Sequence, residues 1–448
     1  MVYGYRVVVG RLEASPRLLE ASPRLLIDRP VTADRPISRS MNRPDRATAR
    51  LVMALILSCL ILQRFQIPLG GSATSIVGPV GFAIAGVGLL RGLLTFDRRR
   101  VLVYFAFVGL VFAGAAANAL ISSPFNLPIG WMSMFQFLVL SAFATLSFKR
   151  KIDESVFFQT VNTCFAFIAV AGLLQFVAQF AGVSIFRFSD ALPARFLTEQ
   201  LTGGGFNNQI PINLGNYFKS NGFFLAEPSI LSQLMAVAIA IETLYFRRPI
   251  FFGLFITALL ASVSGTGWIV LASFLATVGV SMGRRGLLIA FGLSIAFGVA
   301  LFLWSIALPD VFDAFVGRAG EIFAVGSSGQ IRFVTPFWIM QEVLDRAPWS
   351  PLLGIGSSVS ERFWRPYEGD INTPIKIALE NGIPVLICYG LLITSGDRTD
   401  RQRRLVPAIL VLLALTGAYA QFAPVLFPLL LITPIASLRP SPMLTRVK

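Results

Sequence analysis

The sequence predicts an all-α polytopic membrane protein of about twelve transmembrane helices, with two longer loops on one face. Three observations carry this expectation. Hydrophobic residues make up 55% of the chain and charged residues 14%, against about 25% charged in a soluble domain. The apolar residues gather into runs approaching about 20, the length that crosses a bilayer core of about 30 Å. The basic residues behind the net charge of +15 fall in short clusters between alternate runs. That placement marks cytoplasmic loops and argues against a nucleic-acid partner.

Residues 1–50 read as a disordered cytoplasmic tail. The heptad Leu-Glu-Ala-Ser-Pro-Arg-Leu occurs at 12–18 and again at 19–25, and a proline in each copy interrupts any helix. No apolar core of signal-peptide length follows the basic residues. Met41 stands just ahead of the first apolar run, so synthesis is expected to begin there with residues 1–40 dispensable; expression from Met41 checks this. The remainder, 51–448, reads as a single transmembrane domain. Its apolar runs are 51–65, 76–94, 101–120, 131–148, 156–182, 228–246, 250–263, 268–282, 286–308, 374–394, 405–420 and 422–438. The shortest of them need flanking residues or a thinner local bilayer to span.

Charge asymmetry sets the orientation. One set of connections carries Arg91, Arg98, Arg99 and Arg100, then Lys149, Arg150 and Lys151, then Arg247 and Arg248. Arg284, Arg285, Arg398, Arg401, Arg403 and Arg404 continue the series. The alternate connections 67–75, 121–130 and 264–267 contain no Lys or Arg. The basic side is the cytoplasm, and both termini lie on it. Residues 183–226 and 309–372 then face outward. Loops of that length in a compact protein are usually functional. Their arginines Arg187, Arg195, Arg318, Arg332, Arg362 and Arg365 suit an anionic ligand.

Several segments carry residues with chemistry. Asn221-Gly-Phe-Phe-Leu-Ala-Glu-Pro-Ser229 opens the sixth run. Glu227 there is either an ordinary complement to a positive helix end or a carboxylate placed to accept a proton from a sugar hydroxyl. Ser262-Val-Ser-Gly-Thr-Gly-Trp268 makes a tight outer turn whose backbone amides are exposed. Arg332 stands just ahead of a helix expected to start with Thr335 as cap and Pro336 as first residue, where guanidinium and free amides act together on a phosphate. Leu353-Gly-Ile-Gly356 is a tight turn. Gln175 and Gln179, one helical turn apart, form a polar stripe that either lines a sugar cavity or bonds a neighbouring helix. The chain has no histidine, and Cys59, Cys164 and Cys388 lie inside apolar runs without ligand spacing. No metal site and no cofactor are expected.

Taken in order, the glutamine pair of Gly172-Leu-Leu-Gln-Phe-Val-Ala-Gln179, Phe224-Leu-Ala-Glu-Pro-Ser229, Ser264-Gly-Thr-Gly267, Arg332, Gly354-Ile-Gly356 and Ala378-Leu-Glu-Asn-Gly-Ile383 resemble the Wzy-type polymerase and O-antigen ligase superfamily. The likeness runs from about residue 50 onwards, and the Glu-Pro-Ser form is most similar to exopolysaccharide polymerases. The resemblance implies a metal-independent glycosyltransferase of the bacterial inner membrane, acting on polyprenyl-diphosphate-linked oligosaccharide at the periplasmic face. Its partners would be membrane lipid, a flippase and a chain-length regulator. Arg332 would be the main diphosphate clamp, with Arg195 and Arg318 as further ligands, and Glu227 would orient or deprotonate the acceptor. Ligases of the superfamily carry a histidine near the end of the large loop; here that stretch reads Asp370-Ile-Asn-Thr-Pro374, which favours the polymerase over the ligase. The competing class is a transporter or lipid flippase. It would place ionisable groups at the bilayer midplane, whereas Glu242, Lys376 and Glu380 lie towards the ends of their runs.

Overall fold

The computed structural model describes residues 43–69, 72–121, 124–125, 127–183, 196, 218–286, 288, 295, 306, 328–364, 371–415, 422–435 and 438. The tail to residue 42, Arg195, Arg318 and most of the 286–308 run lie outside the described residues.

The architecture is that of a helical membrane protein. Among the described residues, Arg46–Arg64, Arg98–Leu120, Glu154–Phe180 and Pro228–Phe246 are long and apolar enough to cross a bilayer by length and composition. Shorter apolar helices cover Val77–Leu90, Trp131–Thr145, Pro249–Ala261, Thr266–Ser281 and Ile383–Thr394. In chain order the helices of the first half are α1 (Arg43–Ile61), α2 (Val77–Leu90), α3 (Arg98–Leu120), α4 (Trp131–Ala142) and α5 (Glu154–Phe180). Then come α6 (Pro228–Ile241), α7 (Pro249–Ala261) and α8 (Thr266–Ser281). The second long loop holds α9 (Ser328–Phe333), α10 (Thr335–Arg346), α11 (Ser350–Leu353) and α12 (Val359–Trp364). The chain then forms α13 (Thr373–Asn381), α14 (Ile383–Thr394), α15 (Asp400–Leu415) and α16 (Phe422–Ile435).

Three expectations are corrected. The fold is not purely α: strands β1 (Gln66–Leu69) and β2 (Ser72–Ser75) form one antiparallel pair, and β3 (Leu94–Phe96) and β4 (Leu146–Phe148) another. The runs 76–94 and 131–148 therefore end as strand, because a short apolar stretch reads alike in both periods. Second, α1 begins at Arg43, inside the expected tail; its polar first turns extend the helix beyond the apolar run that defined the boundary at 51. Leu51, Val52, Leu55, Ile56, Cys59 and Leu60 then recur at helical spacing on its buried face. Third, the run 374–394 is two helices. Gly382 separates them at φ +91°, with Leu352 O 2.5 Å from where a Cβ would stand, a conformation and a contact that glycine alone meets without strain.

Helix α6 is the centre of the packing. Every residue from Leu231 to Ile241 is buried, against α5, α7, α8 and α15. A helix apolar on all faces belongs inside a bundle. Beyond Ile241 it widens into a π turn, Glu242–Phe246, which stops at Arg247 with φ +58°. The Glu242 side chain is fully buried. It accepts a hydrogen bond from Asn162 Nδ2 at 2.9 Å and pairs with Arg248 through Nε (3.2 Å) and Nη2. The Arg248 guanidinium lies over Phe246 and Phe251, 4.6 and 4.0 Å from the ring centroids.

The bundle has two polar ends. At one, Asp97 caps α3 through Arg99 N and Arg100 N, Arg100 Nη2 donates to Ser395 O at 2.9 Å, and Gln402 Nε2 donates to Glu154 at 3.2 Å. Burial, and then the like charge of Arg100, pull Arg398 below the ordinary guanidinium range. At the other end of α3, Asn118 Nδ2 donates to Leu353 O (3.2 Å) and Gly354 O (3.0 Å). Basic clusters mark the first end. The loop segments 218–227 and 328–364 gather at the second. A membrane-impermeant maleimide on intact spheroplasts, with Cys388 replaced by Ser and Cys59 and Cys164 buried, is expected to label Gly265→Cys. Arg150→Cys is expected to react only after lysis, and the reverse pattern would invert the topology.

Candidate functional site

The second end of the bundle holds the chemistry. Glu227 is the last extended residue before α6, at φ −140° and ψ 153°, and Pro228 occupies the first helical turn. Its carboxylate does not cap that helix. Instead Oε2 accepts two hydrogen bonds, from Ser229 Oγ at 2.6 Å and from Arg332 Nη2 at 2.9 Å. The two site residues expected to act together, 105 positions apart, thus form an ion pair. It is neither sealed nor fully exposed: the side chains keep 34% (Glu227) and 21% (Arg332) of their accessible surface.

Arg332 arrives there differently from expectation. It closes the last turn of α9 instead of sitting on a loop. Val334 occupies the cap position of α10, while Thr335 is buried within the helix and makes no capping bond. The α9–α10 unit is seated by Ile339, Val343 and Ala347, which pack with Phe125, Ile355, Val359, Ile371 and Leu379.

The segment leading to Glu227 is gripped from two helices. Gln179 on α5 pairs with the Phe218 backbone in both directions, Oε1 accepting from N at 2.7 Å and Nε2 donating to O at 3.1 Å. Gln175 Oε1 accepts from Ser220 Oγ (3.4 Å), Asn221 N (3.2 Å) and Phe223 N (3.3 Å). Ser220 Oγ also donates to Gly172 O at 2.8 Å. A Cβ on Gly172 would stand 3.0 Å from Gly222 Cα, so glycine allows this close approach. Gln175 and Gln179, expected either to line a sugar cavity or to bond a neighbouring helix, hold residues 218–223. Their acceptor oxygens serve backbone amides that have no strand or helix partner.

From the 3-10 turn Leu62–Arg64 that follows α1 come two residues that sequence reasoning missed. Gln63 Oε1 accepts from Ala226 N at 3.2 Å, and Arg64 Nε donates to Leu225 O at 2.8 Å. Both side chains are buried. The signal available was a polar pair closing an apolar run on the outer side, where the neighbouring connections avoid positive charge.

The Ser264-Gly-Thr-Gly267 turn joins the same unit. Thr266 Oγ1 lies 3.1 Å from both Ser264 Oγ and Ser232 Oγ and donates to Ser229 O at 3.3 Å. Gly267 N donates to Ser232 Oγ at 3.0 Å. A Cβ at Gly267 would fall 2.4 Å from Ser232 O, so α6 and α8 touch backbone to backbone there. Gly354-Ile-Gly356 pairs instead with α13: Ile355 N donates to Leu379 O and Gly356 N to Glu380 O, both at 2.9 Å. The buried Glu380 carboxylate accepts from Ser358 N at 2.8 Å and from Ser360 Oγ. Among the described residues no three His, Cys, Asp or Glu side chains stand together as metal ligands. The site offers a carboxylate, a guanidinium and a row of hydroxyls. No family model, curated protein or solved structure matches the chain.

The two glutamines make a discriminating test. Among the described residues Gln175 acts only as an acceptor, so Gln175→Glu should keep its bonds and stay within about 0.5 kcal/mol of the parent. Gln179→Glu loses the donor to Phe218 O and sets two acceptors face to face, at a cost of about 1–3 kcal/mol. Thermal unfolding in detergent, with proteolysis mapped across 218–227, should separate them.

Proposed function

We propose that the chain is a polymerase that joins polyprenyl-diphosphate-linked oligosaccharide repeat units into exopolysaccharide at the periplasmic face of a bacterial inner membrane. On this reading about twelve helices cross the bilayer and both termini are cytoplasmic. The observation that carries it is the Glu227–Arg332 pair at 2.9 Å, on the end of the bundle opposite the basic clusters.

The reaction needs a leaving diphosphate held and an acceptor hydroxyl relieved of its proton. Arg332 holds the diphosphate of the donor through its planar fork of N–H donors. The positive ends of α6 and α8 add to the field, each equivalent to about half a charge; Thr266 and Ser229, in their first turns, are in contact. Glu227 takes the acceptor's proton as the acceptor oxygen bonds to the anomeric carbon of the donor sugar. The bond from that carbon to the diphosphate oxygen breaks, and its electron pair leaves on the polyprenyl diphosphate. Diphosphate needs little protonation to depart, so positioning and charge stabilisation supply most of the rate.

The test uses purified protein in detergent with lipid-linked oligosaccharide extracted from a strain deleted for this gene, without nucleotide sugar. A ladder of longer lipid-linked chains is expected. Arg332→Lys should lose about tenfold and Arg332→Ala about 10²–10³-fold. Glu227→Gln should lose about 10²–10⁴-fold while remaining folded. Transfer to a lipid A core acceptor instead would make the protein a ligase. Movement of labelled lipid between leaflets of proteoliposomes, without a ladder, would make it a flippase.

A further inference from the structure

Glu227 is held asymmetrically. Both hydrogen bonds it receives fall on Oε2, from Arg332 Nη2 at 2.9 Å and Ser229 Oγ at 2.6 Å. Among the described residues no hydrogen bond reaches Oε1. The side chain retains 34% of its surface, so the unoccupied oxygen belongs to a group that solvent and substrate can meet. A carboxylate with one oxygen doubly pinned has lost rotation about its terminal bond, and its second oxygen points in a set direction.

Ser229 is itself fixed. Its carbonyl accepts from Ser232 Oγ at 2.7 Å and from Thr266 Oγ1 at 3.3 Å. Its backbone lies in the first turn of α6, the helix buried on every side. The Oγ–Oε2 distance of 2.6 Å is that of a charge-assisted O–H···O⁻ bond. Of the two donors on Oε2, only Ser229 stays in place throughout the proposed reaction, since Arg332 must also serve the diphosphate.

We propose that Ser229 is a positioning residue for Glu227: its hydroxyl pins Oε2 and so turns Oε1 to the acceptor hydroxyl, whose proton Oε1 receives as the glycosidic bond forms. This rests on the polymerase reading above. It also gives the Ser264-Gly-Thr-Gly267 turn a purpose, because Thr266 supports Ser229 and Gly267 lets α8 come close enough for it to do so.

The experiment compares Ser229→Ala, Ser229→Thr and the parent in the ladder assay, beside affinity for farnesyl diphosphate as a soluble prenyl diphosphate probe. Ser229→Ala should lower kcat about tenfold, with KM for the extracted lipid-linked donor and farnesyl diphosphate affinity unchanged. Ser229→Thr, which keeps the hydroxyl, should restore kcat to within about twofold, and detergent Tm should be alike in all three. Should the alanine variant fail to fold, Ser229→Cys carries the test, since a thiol is a weaker donor of similar size; its kcat should fall in the same direction. Parental kcat in the tested variant would overturn the proposal, as would a loss that threonine does not rescue. A failed polymerase reading looks different. There the parent makes no ladder, or Arg332→Ala and Glu227→Gln leave the ladder untouched and Arg332→Ala binds farnesyl diphosphate as the parent does.

Discussion

The contact on which the rest depends is the Glu242–Arg248 pair at the basic end of α6, a buried carboxylate met by a part-exposed guanidinium. Taking a carboxylate out of water costs several kcal/mol even after relaxation, and a partner recovers this only with good geometry and further hydrogen bonds. Both conditions are met: Arg248 reaches Glu242 through two nitrogens, and Asn162 of α5 supplies a third donor. The π turn and the left-handed Arg247 bring Arg248 back onto Glu242, and the two phenylalanine rings hold the guanidinium there. A helix as apolar as α6 could slide or rotate among apolar neighbours at little cost. The buried charge sets its depth and rotation. Because a helix is a stiff rod of about 1.5 Å per residue, fixing Glu242 at one end also fixes Glu227 and Ser229 at the other.

Irregular backbone poses the second constraint. A membrane protein must satisfy every backbone amide and carbonyl it removes from water, and this end of the bundle contains segments, 218–227 and 354–358, outside the helices. Two solutions coexist. The 218–227 segment borrows side-chain amides: Gln179 imitates a strand partner for Phe218, Gln175 collects three donors, and Gln63 takes Ala226 N. The 354–358 segment borrows the end of a helix, pairing with the last carbonyls of α13 while Glu380 reaches back to Ser358 and to Ser360 in α12. Glycine at Gly354 and Gly382 is required in the second solution, where backbone approaches within contact distance at positive φ. The first leaves Glu227 at the rim of a segment held along its length. The second builds the platform under α9 and α10 that brings Arg332 over.

These solutions explain how far the sequence could be read. Membrane class was legible because it depends on composition and on short-range order. Glu227 and Arg332 were legible as a separate carboxylate and guanidinium. Their contact was not, since it spans 105 positions and depends on where α9 and α10 fold. Gln175 and Gln179 were noticed because polar residues in an apolar helix are costly, yet that cost is the same whether a sugar or a backbone amide answers it. Gln63 and Arg64 were passed over because they end a run whose outer boundary is also where solvated residues begin. The break at Gly382 was hidden by the apolar residues on both sides of it; a glycine inside a hydrophobic run reads as tolerated until a positive φ is seen. Leu94 and the small strand at 146–148 were read as helix for the reason that apolar periodicity fails in short runs.

On the proposed reaction a chain without histidine has to place the carboxylate that serves as base with more care. An imidazole presents two nitrogens in a fixed plane, and its orientation follows from a single second bond. A carboxylate has two equivalent oxygens and a soft terminal torsion, so an acceptor hydroxyl meets either oxygen unless one is taken. Ser229 and Arg332 together take one. On the proposed reaction the two donors then divide the work: Arg332 follows the charge that builds on the departing diphosphate, and Ser229 keeps the carboxylate from following Arg332. Pro228 opens α6 at the position where a helix needs no N–H donor, and the hydroxyl one residue further on takes Oε2. On the proposed reaction the order Glu-Pro-Ser places, in three consecutive residues, a proton acceptor, the residue that starts its helix, and the hydroxyl that aims it.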